Sequence, residues 1–127
     1  MPQSNRQSRH LPAFILLALA DGPLHGHAIR AALHLRIPGF KSDPGAIYRT
    51  LQALEADGEV SFQWHTEASG PARKVYRLTG LGWERLGYWE ADIRQRMAFL
   101  NAFLDGLERA RRNGPGDRSG KPPEGRP

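Results

Sequence analysis

The most constraining feature of the sequence is a capped helix that is followed at once by an alternating strand. The helix has clear boundary residues: Asp43 is a typical N-cap, Pro44 is typical of the first helical position, and Gly58 is typical of the residue just past a helix end. From Val60 the hydrophobic period changes from about 3.6 to 2 residues. One face of the helix carries a stripe that we expect to be buried, formed by Ile47, Leu51 and Leu54.

A β-hairpin is predicted directly after this helix. Apolar and polar residues alternate over residues 60–65, and a second strand returns over 73–78 after a turn at 67–72 that contains Ser-Gly-Pro. The return strand should place Tyr76 toward the core and Arg73 on the opposite face. Trp64 is expected to pack beneath the hairpin.

Three further helices complete the prediction. A short apolar helix covers 11–20, a second runs from Leu24 to Arg36, and a long last helix starts at Thr79 as N-cap and reaches about Arg112. Apolar residues of the last helix recur every seven residues, which is typical of a helix that pairs with another helix. The predicted dimer interface consists of Leu86, Ile93, Met97, Leu100, Leu104 and Leu107.

The fold class that follows is mainly α with a small β-hairpin (α+β), a winged helix-turn-helix plus a long C-terminal dimerisation helix. Three short helices packed together and followed by a hairpin describe this architecture. The predicted segments are a flexible N-terminal arm (1–10), a winged-helix DNA-binding domain (11–79), a dimerisation helix (80–112) and a disordered tail (113–127).

Composition narrows the classes of function. The 127 residues contain no cysteine, which excludes disulfides and thiolate catalysis. Eighteen Lys and Arg against thirteen Asp and Glu leave a net charge of +5 and a pI near 10.2, which favours a polyanionic partner. The apolar run at 11–20 is too short for a membrane span. Arg6 and Arg9 precede that run and make it resemble a signal peptide, but we favour a buried helix. If the run is retained as a helix, a cytoplasmic location is expected.

No catalytic, cofactor or metal site is expected. The sequence lacks a Gly-x-Ser-x-Gly motif, a phosphate loop and evident paired carboxylates, so we predict that the protein is not an enzyme. His25 and His27 are two residues apart and His34 is seven beyond His27, whereas ligands on one helix face are three or four apart.

The third helix and the hairpin carry candidate DNA contacts. A helix about 10–12 Å wide fits a major groove about 12 Å wide, and small residues at its start allow close approach. Tyr48 offers a hydroxyl to a phosphate, Arg49 reaches a base edge or a phosphate, and a basic hairpin follows the neighbouring backbone. The candidate DNA-binding residues are Pro44, Gly45, Ala46, Tyr48, Arg49, Gln52, Arg73 and Lys74.

Three separated blocks resemble the PadR family of transcriptional regulators. They are GPLHGHAI at 22–29, PGAIYRTLQALEADGEV at 44–60 and GPARKVYRLTGLG at 70–82. The resemblance implies a homodimeric repressor that binds double-stranded DNA, with the C-terminal helices in the dimer interface and, in several members, a small aromatic effector near it. His27 departs from the family pattern, which usually has Tyr there.

The last helix also holds the candidate effector site. Tryptophans are more often core or interface anchors than ligand contacts, so plain dimer packing is the alternative. If a pocket forms, its residues are Trp83, Leu86, Trp89 and Ile93. The alternative to a DNA-binding regulator is a winged-helix module that docks a protein or binds a ligand without binding DNA.

Overall fold

The computed structural model describes residues 2–41, 43–66 and 70–114. Its elements in chain order are α1 (Pro2–Leu19), β1 (Leu24–His25), α2 (Gly26–Arg36), α3 (Pro44–Ala56), β2 (Val60–His65), β3 (Arg73–Leu78) and α4 (Gly80–Asn113). This is the predicted winged helix-turn-helix with a long C-terminal helix. The tail predicted to be disordered lies outside the described residues from 115 onward, as do positions 67–69 of the predicted turn.

The chain divides into two compact units, Met1–Trp89 and Glu90–Pro127. The core of the first unit joins α1, α2 and α3 to the inner face of the sheet. Burying each of its large aliphatic side chains contributes about 1.5–3 kcal/mol. The side chains that are entirely or almost entirely buried are Ile15, Leu16, Ile29, Leu33, Ile47, Leu51 and Val60.

Three antiparallel strands form the sheet in the order β1-β3-β2. Tyr76 of the central strand pairs with Leu24 on one side and Phe62 on the other. Strand β1 was not predicted, because its two residues carry no alternation and its partner is remote in sequence. Helix α2 therefore begins at Gly26 rather than Leu24, and His25 becomes its N-cap.

Helix α1 is longer than the sequence predicted. It begins at Pro2, where a polar arm without regular structure was expected over residues 1–10. From Leu11 onward the helix contributes buried residues to the core. A helix anchored by packing can extend through preceding Arg and Gln residues, since these cost little helix propensity and propagation is easier than nucleation.

The ends of α3 are confirmed. The Asp43 carboxylate accepts a hydrogen bond from the backbone N–H of Ala46 at 3.3 Å, and Pro44 occupies the first turn. After the helix, Gly58 adopts a φ of 79°, a left-handed conformation that favours glycine. The Asp43 cap and the turn at Gly58 therefore determine where α3 begins and ends.

The junction between the hairpin and α4 is closely packed. Thr79 is confirmed as the N-cap, since its hydroxyl accepts from the Gly82 N–H at 3.1 Å and donates to the Gly58 carbonyl at 2.6 Å. Glu59 is 5% exposed, and Arg85 of α4 pairs with its carboxylate at 3.3 Å. Gly82 packs directly on the backbone carbonyl of Glu59.

The second unit continues α4 to Asn113. Over its described residues 90–114, three ion pairs spaced four residues apart join Arg94 to Glu90, Arg96 to Asp92 and Arg112 to Glu108. Such pairs contribute about 0.2–0.5 kcal/mol each to a helix. Within the described part of the chain, no helix combines the length and the apolar character needed to cross a bilayer.

Gly82→Ala should destabilise the first unit, because the new methyl group would collide with the Glu59 carbonyl oxygen and lie 2.8 Å from Leu78. Overpacking of this kind costs about 1–3 kcal/mol. Gly87→Ala is the matched control, since nothing lies within 4 Å of its added carbon and alanine is the better helix former. Denaturant unfolding measures both, and equal midpoints for the two variants would contradict the packing at Gly82.

Candidate nucleic-acid interface

Burial of one face of α3 determines which of its residues are exposed on the other face. Ile47, Leu51 and Leu54 are buried, as their spacing predicted. Tyr48 is 46% exposed, and Arg49 is exposed as well. Of the other predicted contacts on this helix, Pro44 and Gln52 are exposed and Gly45 is half-buried. Ala46 is turned inward and packs against the core.

Arg49 lies over the first turn of α3. A side-chain carbon built at Gly45 would be 3.0 Å from a guanidinium nitrogen of Arg49 and 3.5 Å from the Asp43 carboxylate. The absence of a side chain at Gly45 therefore leaves room for the guanidinium above the start of the helix. The positive charge is placed where the backbone N–H groups already favour an anion.

Tyr48 fills the gap between α2 and α3. A side-chain carbon at Gly26 would be 2.9 Å from the Tyr48 hydroxyl oxygen, so glycine is needed for the two helices to approach this closely. A small cleft of about 70 Å³ opens beside the contact. Its lining consists of Gly26, His27, Arg30, Pro44, Ile47 and Tyr48.

Arg73 and Lys74 lie on opposite faces of β3. Arg73 is exposed, as predicted, and one guanidinium nitrogen is 3.1 Å from Nε2 of His25. Lys74 points to the inner face, where its ammonium group lies 3.9 Å from the Glu55 carboxylate. Both residues were predicted as DNA contacts, and they separate because successive residues of a strand alternate between its faces.

Aromatic rings surround the ammonium group of Lys74. Its Nζ lies 4.0 Å from the centre of the Phe62 ring and 5.9 and 5.8 Å from the rings of Trp64 and Tyr76. Trp64 is 61% exposed and meets Phe62 edge to face, so the expectation that it packs beneath the hairpin is wrong. Strand β2 is buried at Val60 and exposed from Gln63 to His65, so Trp64 lies on the part of the strand that leaves the core.

Tyr76 is the buried member of this cluster. Burial raises the pKa of its hydroxyl, and the negative charge of Glu55 and the neighbouring Tyr48 raise the pKa further. The hydroxyl therefore stays neutral at physiological pH, and Tyr76 acts as a packing residue between the sheet and α3.

The candidate effector residues of α4 differ in exposure. Trp83 is 55% exposed, whereas Leu86 and Trp89 pack against the core of the first unit. The Trp89 ring also meets the ring of His10 at 5.9 Å. Leu86, predicted for the dimer interface too, is thus engaged within its own chain. Ile93 belongs to the second unit and is half-buried.

The second unit exposes most of the predicted dimer residues. Leu107 is half-buried, and Met97, Leu100 and Leu104 are each more than half exposed. Sequence reasoning missed two exposed aromatic residues here, Phe99 and Phe103, since they do not follow the seven-residue repeat. Among the residues that the structure describes, no three potential metal ligands form a group.

Two features of the interface had no clear sequence signal. The contact between His25 and Arg73 joins residues of β1 and β3, and the pairing of these two strands brings them together. The role of Gly26 depends on the Tyr48 hydroxyl that packs on it. Neither partner is a neighbour in sequence, so local patterns could not reveal them.

Comparison with known proteins gives a consistent match. A family model described as the transcriptional regulator PadR-like family matches residues 15–88. Transcriptional regulator Rv3488 of Mycobacterium tuberculosis is 38% identical over 68 residues, which are 54% of this chain and 61% of that protein. An uncharacterized 37.1 kDa protein in transposon Tn4556 of Streptomyces fradiae is 52% identical over 42 residues, 33% of this chain and 12% of that protein. The chain thus spans less than two thirds of both relatives.

Solved structures share the fold. A PadR-like transcription factor from Bacteroides fragilis has a TM-score of 0.67 and 29% identity, over 80% of this chain and 96% of that chain. Bacillus subtilis PadR, solved in complex with operator DNA, has a TM-score of 0.57 and 26% identity, over 62% of this chain and 45% of that chain.

Lys74→Ala should lower stability by about 1 kcal/mol, since it removes a cation held over aromatic rings and leaves Glu55 without its partner. Arg77→Ala is the matched control, because Arg77 is exposed on the other face of the same strand. Its effect should stay within about 0.5 kcal/mol. Guanidinium unfolding of the two variants measures the difference, and an unchanged Lys74→Ala midpoint would count against the internal role of the lysine.

Proposed function

The chain belongs to the transcriptional regulator PadR-like family, and from this premise we propose that it is a homodimeric repressor that binds double-stranded DNA through α3 and the hairpin. The observation that carries the proposal is the exposed start of α3. Tyr48 and Arg49 reach solvent there, while the opposite face of the helix is buried. A helix held in this way can enter a major groove.

Charge supports a nucleic-acid partner. The chain carries +5, and exposed arginines lie on α3 and on the outer face of β3 at positions 49, 73 and 77. Neutralising backbone phosphates releases counterions and supplies much of the affinity of DNA-binding proteins. The operator complex of Bacillus subtilis PadR supports the same assignment. Base contacts from Arg49 and Gln52 would supply sequence preference, and Arg73 would contact the backbone.

Exposed apolar side chains support a dimer. Met97, Phe99, Leu100, Phe103 and Leu104 are all more than half exposed on the α4 segment of the second unit. Contiguous apolar surface of this kind is typical of a protein–protein contact. A two-fold dimer would present two copies of α3 to a palindromic operator, with half-sites about one helical turn apart.

The effector is a further part of the proposal. Trp83 offers an exposed indole on α4, which suits stacking with a planar aromatic compound. Release of DNA by such a compound would make the protein a ligand-controlled repressor without enzymatic activity. Leu86 and Trp89 already pack on the core, so Trp83 is the residue of this group with most surface left for a ligand.

Arg49→Ala and Arg73→Ala should weaken DNA binding in different ways. Loss of Arg49 should relax sequence preference, at a cost of about 1–3 kcal/mol on the preferred site. Loss of Arg73 should weaken binding to all duplexes and reduce the slope of log affinity against log salt by about one. Lys74→Ala is the control and should leave the slope unchanged. Fluorescence anisotropy on a duplex selected from a random library measures all three.

Two outcomes with the wild-type protein would contradict the DNA assignment, and a third, with the variants, would assign the backbone contact to another residue. If wild-type protein binds no duplex, or binds with salt-independent affinity, the alternative of a winged-helix module that docks a protein is favoured. If Lys74→Ala lowers the salt slope and Arg73→Ala does not, DNA is contacted by the lysine that sequence alone also predicted.

Leu100→Glu and Leu104→Glu should dissociate the dimer, because a charge buried in an apolar contact is costly. Ala98→Glu is the control, since Ala98 is exposed and helical periodicity places it away from the leucines and from Phe99 and Phe103. Sedimentation velocity at micromolar concentration measures the oligomeric state. A monomeric wild-type protein, or a glutamate variant that stays dimeric, would contradict this interface.

A further inference from the structure

His25 faces two hydrogen-bond donors at once. Its Nδ1 lies 3.3 Å from the backbone N–H of Ala28, and its Nε2 lies 3.1 Å from a guanidinium nitrogen of Arg73. A backbone N–H and a guanidinium can only donate, and a neutral imidazole has one acceptor nitrogen and one N–H. The ring therefore satisfies one of the two donors, and the other meets an N–H of the ring.

The two contacts favour opposite tautomers: the guanidinium of Arg73 favours Nε2 as the acceptor, whereas the cap of α2 favours Nδ1. An anion that takes over the Arg73 contact leaves the capping tautomer favoured. With Nδ1 as acceptor, His25 satisfies a backbone N–H at the start of the helix, which an N-cap residue normally does. Nε2 then carries the proton, so its N–H and the guanidinium of Arg73 are two donors side by side. In the described residues no ion pair joins a carboxylate to either side chain. Two neighbouring donors of this kind are complementary to an anion.

The position of this pair matches the proposed DNA surface. Arg73 is exposed and His25 is half-buried, so the two donors open to solvent. Gly26, the next residue after His25, lies against the Tyr48 hydroxyl of α3. Among the described residues, two further histidines lie near the pair: the ring centre of His27 is 6.3 Å from that of His25, and His65 pairs with Arg73 across the sheet.

We propose that His25 and Arg73 together bind one backbone phosphate of the DNA. This inference rests on the proposed function. The phosphate accepts from Nε2–H of His25 and from the Arg73 guanidinium, while Nδ1 of His25 continues to cap α2. The phosphate supplies an acceptor to both donors, and it ties the first turn of α2 to the hairpin.

The test uses duplexes in which one phosphate at a time is replaced by a neutral methylphosphonate. Replacement of any phosphate that the wild-type protein contacts should lower its affinity for the duplex. One of these phosphates is the one bound by His25 and Arg73. His25→Asn keeps a capping oxygen but is too short to share the phosphate, so its affinity should fall about tenfold, as for loss of a hydrogen bond to a charged group. The same single replacement should cost His25→Asn and Arg73→Ala less affinity than it costs the wild type, because each variant keeps only one of the two donors to that phosphate.

His34→Asn is the matched control. His34 is exposed near the other end of α2, with its ring 5.0 Å from Phe40, and this variant should keep every wild-type sensitivity. The proposal is overturned if His25→Asn also keeps them all, or if the His25 and Arg73 variants lose sensitivity at different phosphates. Absence of DNA binding by the wild type would overturn the proposed function as well, so the two failures are distinguishable.

A second measurement needs no variant. Two-bond ¹H–¹⁵N correlation spectra of the wild-type protein on its duplex report which ring nitrogen of each histidine carries the proton. The proposal requires the His25 proton on Nε2 in the complex, with Nδ1 unprotonated. A proton on Nδ1 of His25 in the DNA complex would overturn it, whatever the variants show.

Discussion

Burial of one stripe of α3 is the constraint on which the interface depends. A thirteen-residue helix is marginal on its own in water, so α3 is held by the packing of Ile47, Leu51 and Leu54 against the core. Because side chains recur every 3.6 residues along a helix, burial of this stripe also determines which residues stay outside. Arg49 and Gln52 are exposed for that reason. Packing of the core therefore leaves these two side chains free to contact a partner.

Two glycines set the distances between the elements that carry the interface. At Gly26 the missing side chain lets the Tyr48 ring lie between α2 and α3, and at Gly82 it lets α4 begin directly on the Glu59 backbone. The buried Glu59 carboxylate is paired with Arg85, which offsets the cost of removing its charge from water. These contacts join the base of the hairpin to the start of α4.

The sequence predicted those parts of the fold that have local chemical signals. The ends of α3, the hairpin and the Thr79 cap each depend on residues within a few positions of one another, and each was predicted. Strand β1 was missed, because two residues define it and its partner β3 lies far along the chain. Of the site, Tyr48, Arg49 and Arg73 were predicted as exposed, whereas the His25 contact with Arg73 required the fold to be known.

The separation of Arg73 from Lys74 shows how a sequence pattern limits the assignment of function. The two residues are adjacent and both basic, and they were predicted to act together on DNA. In a strand, however, neighbouring side chains point to opposite faces, and Tyr76 had already been assigned to the core face. Lys74 shares the parity of Tyr76, so the same alternation places its ammonium group inward, where Glu55 and Phe62 receive it. A basic pair in a strand therefore contributes one residue to each face, and the core-facing neighbour decides which one meets solvent.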